Sequence, residues 1–262
     1  MPITNTLSTN SHPCYNCGAG SNARMHLPIA PKCNIQCNYC LRKYDCASES
    51  RPGVVSEVLS PEAAAEKFSI VKEKLPNITV AGIAGPGDAL ANWEQTARTL
   101  QLIRKFDKNV IFCLSTNGLL LPDYAAELHE LGVSHLTVTL NAVDPLIGAE
   151  IYKWAEYQGK LYTGIDAADL LITNQLAGLR KAVELGLVCK VNTVAVKNVN
   201  TPHIPQVAET IANMGIYIHN IMPHIAVDGS VFAGMPTISR KELDALRDEC
   251  GVHLRQMRHC RQ

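Results

Sequence analysis

Residues 109–142 read "NVIFCLSTNGLLLPDYAAELHELGVSHLTVTLNA", with two apolar strand segments, 109–117 and 134–142, on either side of a helical segment. The helical segment, about 122–131, begins with a proline, which is favoured in the first turn of a helix. Apolar strands joined through a helix are typical of parallel strands that are covered on both faces. The stretch therefore predicts a strand–helix–strand unit of a parallel sheet.

The same alternation extends over most of the chain. Ser60 suits the N-cap of the first helix, because Pro61 follows it at the first helical position. Six strand–helix units are fewer than the eight of a closed barrel, so we predict an α/β fold, a partial (β/α)6 barrel, in one domain. Within it we expect an N-terminal extension at 1–27, the barrel at 28–250 and a C-terminal tail at 251–262. The predicted strands are 26–31, 77–85, 109–117, 134–142, 187–196 and 216–225, and the predicted helices are about 61–75, 93–106, 122–131, 173–185, 201–214 and from 239 onward.

The composition excludes several classes of protein. The chain has 262 residues, 47% of them hydrophobic, which is enough for one large core. Lysine plus arginine and aspartate plus glutamate number 24 each, so no summed positive field attracts nucleic acid or an anionic membrane. The apolar stretches are shorter than a bilayer span and the N-terminus has no signal pattern. We expect a cytoplasmic protein with small or specific partners.

The ten cysteines are unevenly spread, and without an export signal they weigh against a disulfide framework. Cys189 lies in an apolar strand segment and is most simply a small buried hydrophobe. That explanation does not extend to six cysteines in the first fifth of the chain, which indicate metal ligands. The six are Cys14, Cys17, Cys33, Cys37, Cys40 and Cys46, and the scattered remainder are Cys113, Cys189, Cys250 and Cys260.

Unusual turns follow the predicted strands. The cysteine cluster follows the first strand, and "GPGDAL", "STNG", "NAVDP" and "KNVN" follow the next four. Ligands of parallel α/β folds bind beyond the carboxyl ends of the strands. Each turn alone is weak evidence, whereas their coincidence on one rim predicts a binding site.

Three thiolates, Cys33, Cys37 and Cys40, have the spacing CxxxCxxC. Zinc normally takes four ligands, whereas three thiolates leave one iron of a cubane cluster open. This spacing after the first strand, with Tyr39 before the third cysteine, resembles the signature of the radical SAM superfamily. The resemblance implies that the open iron binds the amino and carboxylate groups of S-adenosylmethionine (SAM). One electron then cleaves SAM to methionine and a 5′-deoxyadenosyl radical.

The resemblance also implies a binding site for SAM beyond the cluster. The glycine-rich turn would face the methionyl amino group, and polar side chains at the strand ends would meet its carboxylate or ribose. No catalytic side chain is assigned, because the clusters and SAM carry the chemistry. The implied cofactor-binding residues are Tyr39, Gly85, Pro86, Gly87, Asp88, Thr116, Asn117, Asn141 and Asn192.

Longer motifs narrow the resemblance to the NifB family, which acts in nitrogenase cofactor assembly. They are "CNYCLRKYDCASESRPG", "HPC", "AGPGDAL", "LSTNG", "TLNAVDP" and "QMRHCRQ", and the resemblance covers essentially the whole chain. It implies that two 4Fe-4S clusters fuse into an eight-iron core with a central carbide and one added sulfur. The methyl group of one SAM supplies the carbon, and a second SAM supplies the radical that abstracts hydrogen from it. The implied partners are SAM, an iron–sulfur cluster donor, a reduced electron donor and a downstream scaffold or carrier protein, without nucleic acid or a membrane.

The resemblance implies three 4Fe-4S clusters, one that binds SAM and two that are auxiliary substrates. A substrate cluster must leave, so few and replaceable ligands are expected, and neutral imidazole is a weaker donor to iron than thiolate. A solvated or hydrogen-bonded role remains an alternative for each histidine. We predict His26, Cys46 and Cys113 for one auxiliary cluster near the mouth, and His12, Cys14 and Cys260 for the other where the chain ends meet over the barrel, with Cys17 serving either.

Two departures from the family pattern concern the C-terminus. The family sequence ends in HCRQC and continues briefly, whereas this chain stops at Gln262, which predicts an under-ligated second auxiliary cluster. The length predicts a stand-alone form without the NifX-like carrier domain, so the product would pass directly to a separate protein.

Two other functions are compatible with the sequence, and the aromatic residues of one insertion have two possible roles. The chain could be a radical SAM enzyme acting on a peptide or small molecule with electron-transfer clusters, or a non-enzymatic iron–sulfur carrier or zinc scaffold. A carrier does not need the glycine-rich turn, and permanent electron-transfer clusters do not need histidines beside cysteines. The insertion at 146–171 contains Tyr152, Trp154, Tyr157 and Tyr162, which either shield a radical from solvent or simply form the core of the insertion.

Overall fold

The computed structural model of the chain describes residues 9–16, 21–48 and 57–258. Strands and helices alternate along these residues, as the sequence predicts. The strands are β1 (Ala23–Leu27), β2 (Ile35–Cys37), β3 (Ile78–Ile83), β4 (Ile111–Thr116), β5 (Val133–Thr139), β6 (Tyr152–Tyr157), β7 (Lys160–Thr163), β8 (Val188–Ala195) and β9 (Ile218–Pro223). The α-helices are α1 (Pro61–Lys74), α2 (Trp93–Phe106), α3 (Leu121–Glu130), α4 (Pro145–Ile151), α5 (Gly164–Glu184), α6 (Ile204–Ala212) and α7 (Arg240–Cys250).

Six strands form one parallel sheet in the order β1-β3-β4-β5-β8-β9. Helices connect successive strands of this sheet, as parallel pairing requires. The predicted fold, an α/β partial barrel of six strands, is confirmed.

The helix ends follow their sequence signals where a cap is present. The Ser60 side chain accepts a hydrogen bond from the backbone N–H of Ala63, and Ser239 forms a capping box with Glu242. Helix α5 begins at Gly164, well before the predicted 173, because its apolar positions continue into the insertion. Among the described residues, no helix combines the length and apolar character needed to cross a membrane.

A second sheet of three antiparallel strands, β2-β6-β7, was not predicted from the sequence. Strand β2 is three residues of the cysteine motif, too short to show a periodic pattern. Strands β6 and β7 form a hairpin in the insertion, and β6 pairs with β2 from Ile35 opposite Ala155 to Cys37 opposite Tyr152. The insertion therefore supports the cysteine loop directly.

Side chains of each parallel strand alternate between two environments. On β4, Phe112 and Leu114 face the core between the sheet and its helices, whereas Ile111 and Cys113 face the barrel interior. Ser115 continues the interior row and lines a cavity at the mouth. The interior therefore changes from apolar at the strand starts to polar at the strand ends.

The two ends of the described chain meet at the strand-start end of the barrel. Tyr15 is fully buried there, and its hydroxyl donates to the carbonyl of Leu136 at 2.8 Å. Met257 packs in the same apolar cluster, with its N–H bonded to the carbonyl of His219 at 2.7 Å. The ends thus meet opposite the mouth that holds the cysteine loop, not over the mouth itself.

Candidate functional site

The cysteine motif forms a compact loop at the mouth of the barrel. The N–H of Cys40 donates to the carbonyl of Cys37 at 3.0 Å, which closes a turn. The Gln36 amide donates to the carbonyls of Cys37 and Cys40 at 2.9 and 2.8 Å. The loop directs Cys33, Cys37 and Cys40 to the wall of one cavity, and Cys46 lies on the same wall.

The environment of the three thiols disfavours their charged form. Burial raises the pKa of Cys33 to about 11, with the nearby Asp88 carboxylate adding to the effect. Burial also raises the pKa of Cys37 well above its usual value, and the neighbouring Cys40 and Cys33 raise it further. Thiols this close need a bound cation to become thiolates together, and iron provides one.

The cysteines are arranged differently from the ligands of a single metal ion. Within residues 9–16, 21–48 and 57–258, no three cysteine, histidine or acidic side chains converge on one point as such an ion requires. In a cubane cluster each cysteine binds a different iron, so convergence on one point is not required. Three coupled thiols on one cavity wall therefore fit a cluster with one open iron.

The glycine-rich turn is docked against the segment that leads into the cysteine loop. The N–H of Gly87 donates to the carbonyl of Ala30 at 2.5 Å, and the N–H of Asp88 donates to the carbonyl of Lys32 at 2.8 Å. A Cβ atom on Gly87 would lie 2.6 Å from the carbonyl carbon of Lys32, so only glycine fits. Gly87 and Asp88 both line the cavity.

Asp88 connects three elements of the site through its buried carboxylate. One carboxylate oxygen accepts from the N–H groups of Leu90 and Ala91, at 2.9 and 3.1 Å. The other accepts from the Thr116 hydroxyl at 2.9 Å and the Asn117 N–H at 2.5 Å. Burial raises the pKa of Asp88, whereas these hydrogen bonds lower it. Both oxygens already have protein donors, so Asp88 organises the rim of the cavity.

The other predicted SAM-binding residues divide into two groups. Tyr39, Thr116 and Asn117 line the cavity. Asn141 instead donates to the Tyr39 hydroxyl at 2.9 Å, and Asn192 donates to the carbonyl of Ser48 at 3.1 Å. These two asparagines support the cavity wall from behind. Gly85 and Pro86 belong to the turn and are joined by a cis peptide bond.

The family model of the radical SAM superfamily matches residues 27–211 of this chain. The chain belongs to the radical SAM superfamily. Its matched region runs from the last residue of β1 to α6 and includes the cysteine motif. Membership implies a 4Fe-4S cluster and SAM, and the three thiols of the cavity are suitable ligands for that cluster.

Curated relatives give a closer similarity for this radical SAM chain. It is 48% identical over 267 aligned residues to the FeMo cofactor biosynthesis protein NifB of Bradyrhizobium diazoefficiens, covering 100% of this chain and 54% of that protein. It is 47% identical to the NifB of Klebsiella pneumoniae, covering 96% of this chain and 55% of that protein. These identities confirm the resemblance to NifB that the sequence motifs indicated. The chain spans about half the length of these relatives.

Solved structures of other proteins share the fold. Streptococcus suis SuiB bound to S-adenosylmethionine aligns with a TM-score of 0.62 at 13% identity, covering 92% of this chain and 51% of that chain. Methylornithine synthase (PylB) aligns with a TM-score of 0.56 at 13% identity, covering 90% and 72%. At this identity the likeness supports the fold alone.

The predicted auxiliary ligands His26, which is exposed to solvent, and Cys113, which is buried, lie at one level of the parallel strands. His26 on β1 is opposite Gly82 on β3, and Gly82 is opposite Cys113 on β4. The two residues are therefore two strands apart, about 10 Å between Cα atoms. Cys113 is opposite His135 on β5, which continues the row. This level is two residues, about 6–7 Å, below Ser115 of the cavity.

The second predicted ligand set lies nearer the strand-start end. His12 is buried, with its ring centroid 4.7 Å from those of Tyr15 and His135. The Cys14 sulfur accepts from Arg24 at 3.4 Å, and Cys14 borders the apolar cluster that contains Cys113. The predicted ligands Cys17 and Cys260 lie outside the described residues.

The predicted division of ligands between the two auxiliary clusters does not match this placement. Cys46 shares the mouth cavity with the three motif cysteines. Cys113 points into the interior through strand alternation and belongs to the apolar cluster that Cys14 borders. Cys46 and Cys113 are thus at different levels.

Two basic residues of the interior were missed by sequence reasoning. The charges of Arg24 and, to a smaller extent, Lys190 lower the pKa of His26 to about 3, while the His26 side chain itself is exposed to solvent. His26 is therefore neutral at neutral pH, the form that binds metal. Lys190 is 5% exposed and lies over the Tyr15 ring at 5.5 Å. The position of Lys190 in the middle of the apolar strand segment "LVCKVNTVAV" was the sequence feature that indicated a buried lysine.

Proposed function

We propose that this chain is a NifB-type enzyme that fuses two 4Fe-4S clusters and inserts a SAM-derived carbide to form the eight-iron core of a nitrogenase cofactor precursor. The curated relatives are named for FeMo cofactor biosynthesis, and the sequence similarity covers the whole chain. The observation that carries the proposal is a thiol-lined cavity at the mouth, with further cysteine and histidine side chains on the parallel strands below it.

Cys33, Cys37 and Cys40 would hold the SAM-binding cluster. When bound, this cluster supplies the electron for reductive cleavage of SAM. The Gly87 turn brings backbone groups close to the cavity, and Tyr39 and Tyr152 bury one wall of it. These residues orient SAM and exclude water, which protects a radical reaction from quenching.

The two substrate clusters would occupy the barrel interior below this cavity. His26 and Cys113 lie at one level, and the guanidinium of Arg24 packs against Gly82 between them. His12 and Cys14 lie nearer the strand-start end, and Cys17 and Cys260 would complete the donors. Few thiolates and neutral imidazoles suit clusters that must leave as one product.

Charge supports anionic substrates in this interior. The guanidinium of Arg24 approaches the Cys14 sulfur, and the ammonium of Lys190 lies over Tyr15. Thiolate-ligated iron–sulfur clusters are anionic, and buried cations interact strongly with anions because screening is weak there. Arg24 and Lys190 would therefore hold the clusters without adding permanent ligands.

The number and type of the candidate ligands favour this function over that of a radical SAM enzyme that acts on a peptide or small molecule and uses its other clusters for electron transfer. A permanent cluster is normally held by four cysteines, whereas His26 and Cys113 form a mixed and sparse set. The proposal includes three clusters, a separate cluster donor, an electron donor and a downstream cofactor-accepting protein. It also treats the extension, the barrel and the tail at 251–262 as one functional unit, with the barrel beginning at Ala23 and not at the expected residue 28, because β1 pairs with β3.

A variant that combines Cys14→Ala with Cys260→Ala separates methyl transfer from SAM cleavage. Reconstituted protein would be incubated anaerobically with methyl-labelled SAM and dithionite, and S-adenosylhomocysteine and 5′-deoxyadenosine would be quantified. We expect S-adenosylhomocysteine to fall at least tenfold, because the acceptor cluster is lost. We expect 5′-deoxyadenosine to persist, because Cys33, Cys37 and Cys40 remain.

The matched control is Cys189→Ala, which removes a buried thiol on the helix-facing side of the sheet. It should retain both products and the label in the iron–sulfur product. Parent-level S-adenosylhomocysteine in the double variant would contradict the assignment of Cys14 and Cys260 to the methyl acceptor.

A further inference from the structure

Asn117, at the end of β4, is held by hydrogen bonds at each of its polar groups. Its N–H donates to Asp88 at 2.5 Å, and its carbonyl accepts from the Gln175 amide at 2.7 Å. Its side-chain oxygen accepts from the N–H of Leu119 at 2.9 Å. Asn117 is 9% exposed. Neither the backbone nor the side-chain oxygen is therefore free to rotate.

The side-chain nitrogen of Asn117 has two hydrogens and two acceptors. One acceptor is the side-chain oxygen of Asn34 at 2.7 Å, and the other is the sulfur of Cys33 at 3.7 Å. A distance of 3.7 Å is ordinary for a bond to sulfur, whose radius exceeds that of oxygen. Because the Leu119 contact fixes the amide flip, the NH2 group must face Cys33.

We propose that Asn117 is a positioning residue that donates a hydrogen bond to the Cys33 sulfur and thereby raises the reduction potential of the SAM-binding cluster. The sequence had assigned Asn117 to the carboxylate or ribose of SAM, whereas its remaining hydrogen is directed at a cluster ligand. The inference rests on the proposed function, since it requires Cys33 to ligate that cluster.

The direction of the effect follows from charge. Reduction adds negative charge to the cluster and its sulfur ligands, and an N–H dipole directed at sulfur stabilises that charge. Loss of the donor therefore makes the cluster harder to reduce. Asp88 contributes indirectly, because its hydrogen bond fixes the Asn117 backbone and thereby the position of the amide that faces Cys33.

Two isosteric variants separate the hydrogen bond from added charge. Asn117→Asp keeps the oxygen that accepts from Leu119 but removes the N–H donor to Cys33. Asn34→Asp places a negative charge at the partner side chain and leaves the Asn117 donor intact. The midpoint potential of the SAM-binding cluster would be measured by EPR-monitored titration of the reconstituted full chain. We expect a shift to more negative potential that is clearly larger for Asn117→Asp.

A second measurement detects the hydrogen bond itself and does not rely on the potential. The Ile35 N–H, the Tyr39 hydroxyl and Arg42 also place exchangeable hydrogens beside the three sulfurs. Pulsed EPR of the reduced cluster in D2O should therefore detect several deuteron couplings, one of which is present in the parent and in Asn34→Asp and lost in Asn117→Asp. Equal potential shifts in the two variants, or an unchanged set of couplings in Asn117→Asp, would overturn the inference alone. A parent chain that assembles no reducible cluster on Cys33, Cys37 and Cys40 would overturn the proposed function and the inference with it.

Discussion

Substitution of Gly87 by alanine tests how the glycine-rich turn positions the cysteine loop. The added Cβ would lie 2.6 Å from the carbonyl carbon of Lys32 and 2.8 Å from the carbonyl oxygen of Ala30, and closer still to the oxygen of Lys32. All three are backbone atoms, which cannot rotate away. Ordinary contact begins at 3.4 Å, so the turn and the segment before Cys33 must separate.

The size of the effect follows from the contacts that this separation breaks. A movement of about 1 Å stretches the bonds from Gly87 to Ala30 and from Asp88 to Lys32, which are 2.5 and 2.8 Å long. Two buried backbone hydrogen bonds at about 0.5–1.5 kcal/mol each, with overpacking strain of about 1–3 kcal/mol, give a loss of roughly 2–6 kcal/mol. Cys33 moves with the segment, so cluster assembly suffers as well.

The assay combines urea unfolding with the iron content after anaerobic reconstitution. We expect Gly87→Ala to unfold at lower urea concentration and to retain less than half of the parent's SAM-cluster EPR signal. Gly234→Ala is the matched control, because a Cβ at this exposed glycine meets no atom within 4 Å. Parent-like stability and EPR signal in Gly87→Ala would refute the docking of the turn against the cysteine loop.

Two further predictions concern buried polar groups. Tyr39→Phe removes the hydroxyl that accepts from Asn141 and contacts Ser48, so we expect a loss of about 1–3 kcal/mol in unfolding free energy, with Tyr124→Phe unchanged as a control. Burial lowers the pKa of His219 to about 3 from its ordinary 6.5, so folding requires the neutral ring, and stability should fall as pH drops from 6.5 towards 3. The free energy of unfolding should fall by up to about 1.4 kcal/mol per pH unit for this one proton. A His219→Gln variant that keeps the parent's pH dependence of stability would refute this contribution of His219.

The parallel sheet was predictable because its strands are long, apolar and separated by amphipathic helices. Strand β4 carries this pattern clearly, with Phe112 and Leu114 buried against the helices. Ser60 was predictable as a cap because capping depends on a few adjacent residues.

The second sheet was not predictable from local patterns. Strand β2 lies inside the cysteine motif, where the ligand spacing and not the burial pattern determines the residues. Its partner β6 is more than a hundred residues away, with Cys37 opposite Tyr152. Pairing at such separation depends on tertiary packing, which local propensity does not encode.

The site was predictable as a set of residues, but their individual contacts were not. The rim turns indicated a common mouth, and Gly87, Asp88, Thr116 and Asn117 do line one cavity. Asn141 was assigned to SAM from its strand-end position, whereas its amide supports Tyr39. A motif indicates where a side chain lies along the chain, and only the packing of neighbouring strands determines which atoms it meets.

SAM cleavage by the reconstituted chain tests the central assignment most directly. Anaerobic protein would be mixed with SAM and dithionite, and 5′-deoxyadenosine would be quantified for the parent, for Cys33→Ala, Cys37→Ala and Cys40→Ala singly, and for Cys250→Ala as a control. The radical SAM assignment predicts 5′-deoxyadenosine from the parent and the control and none above background from each of the three motif variants. Parent-level 5′-deoxyadenosine from any of those three variants would contradict it.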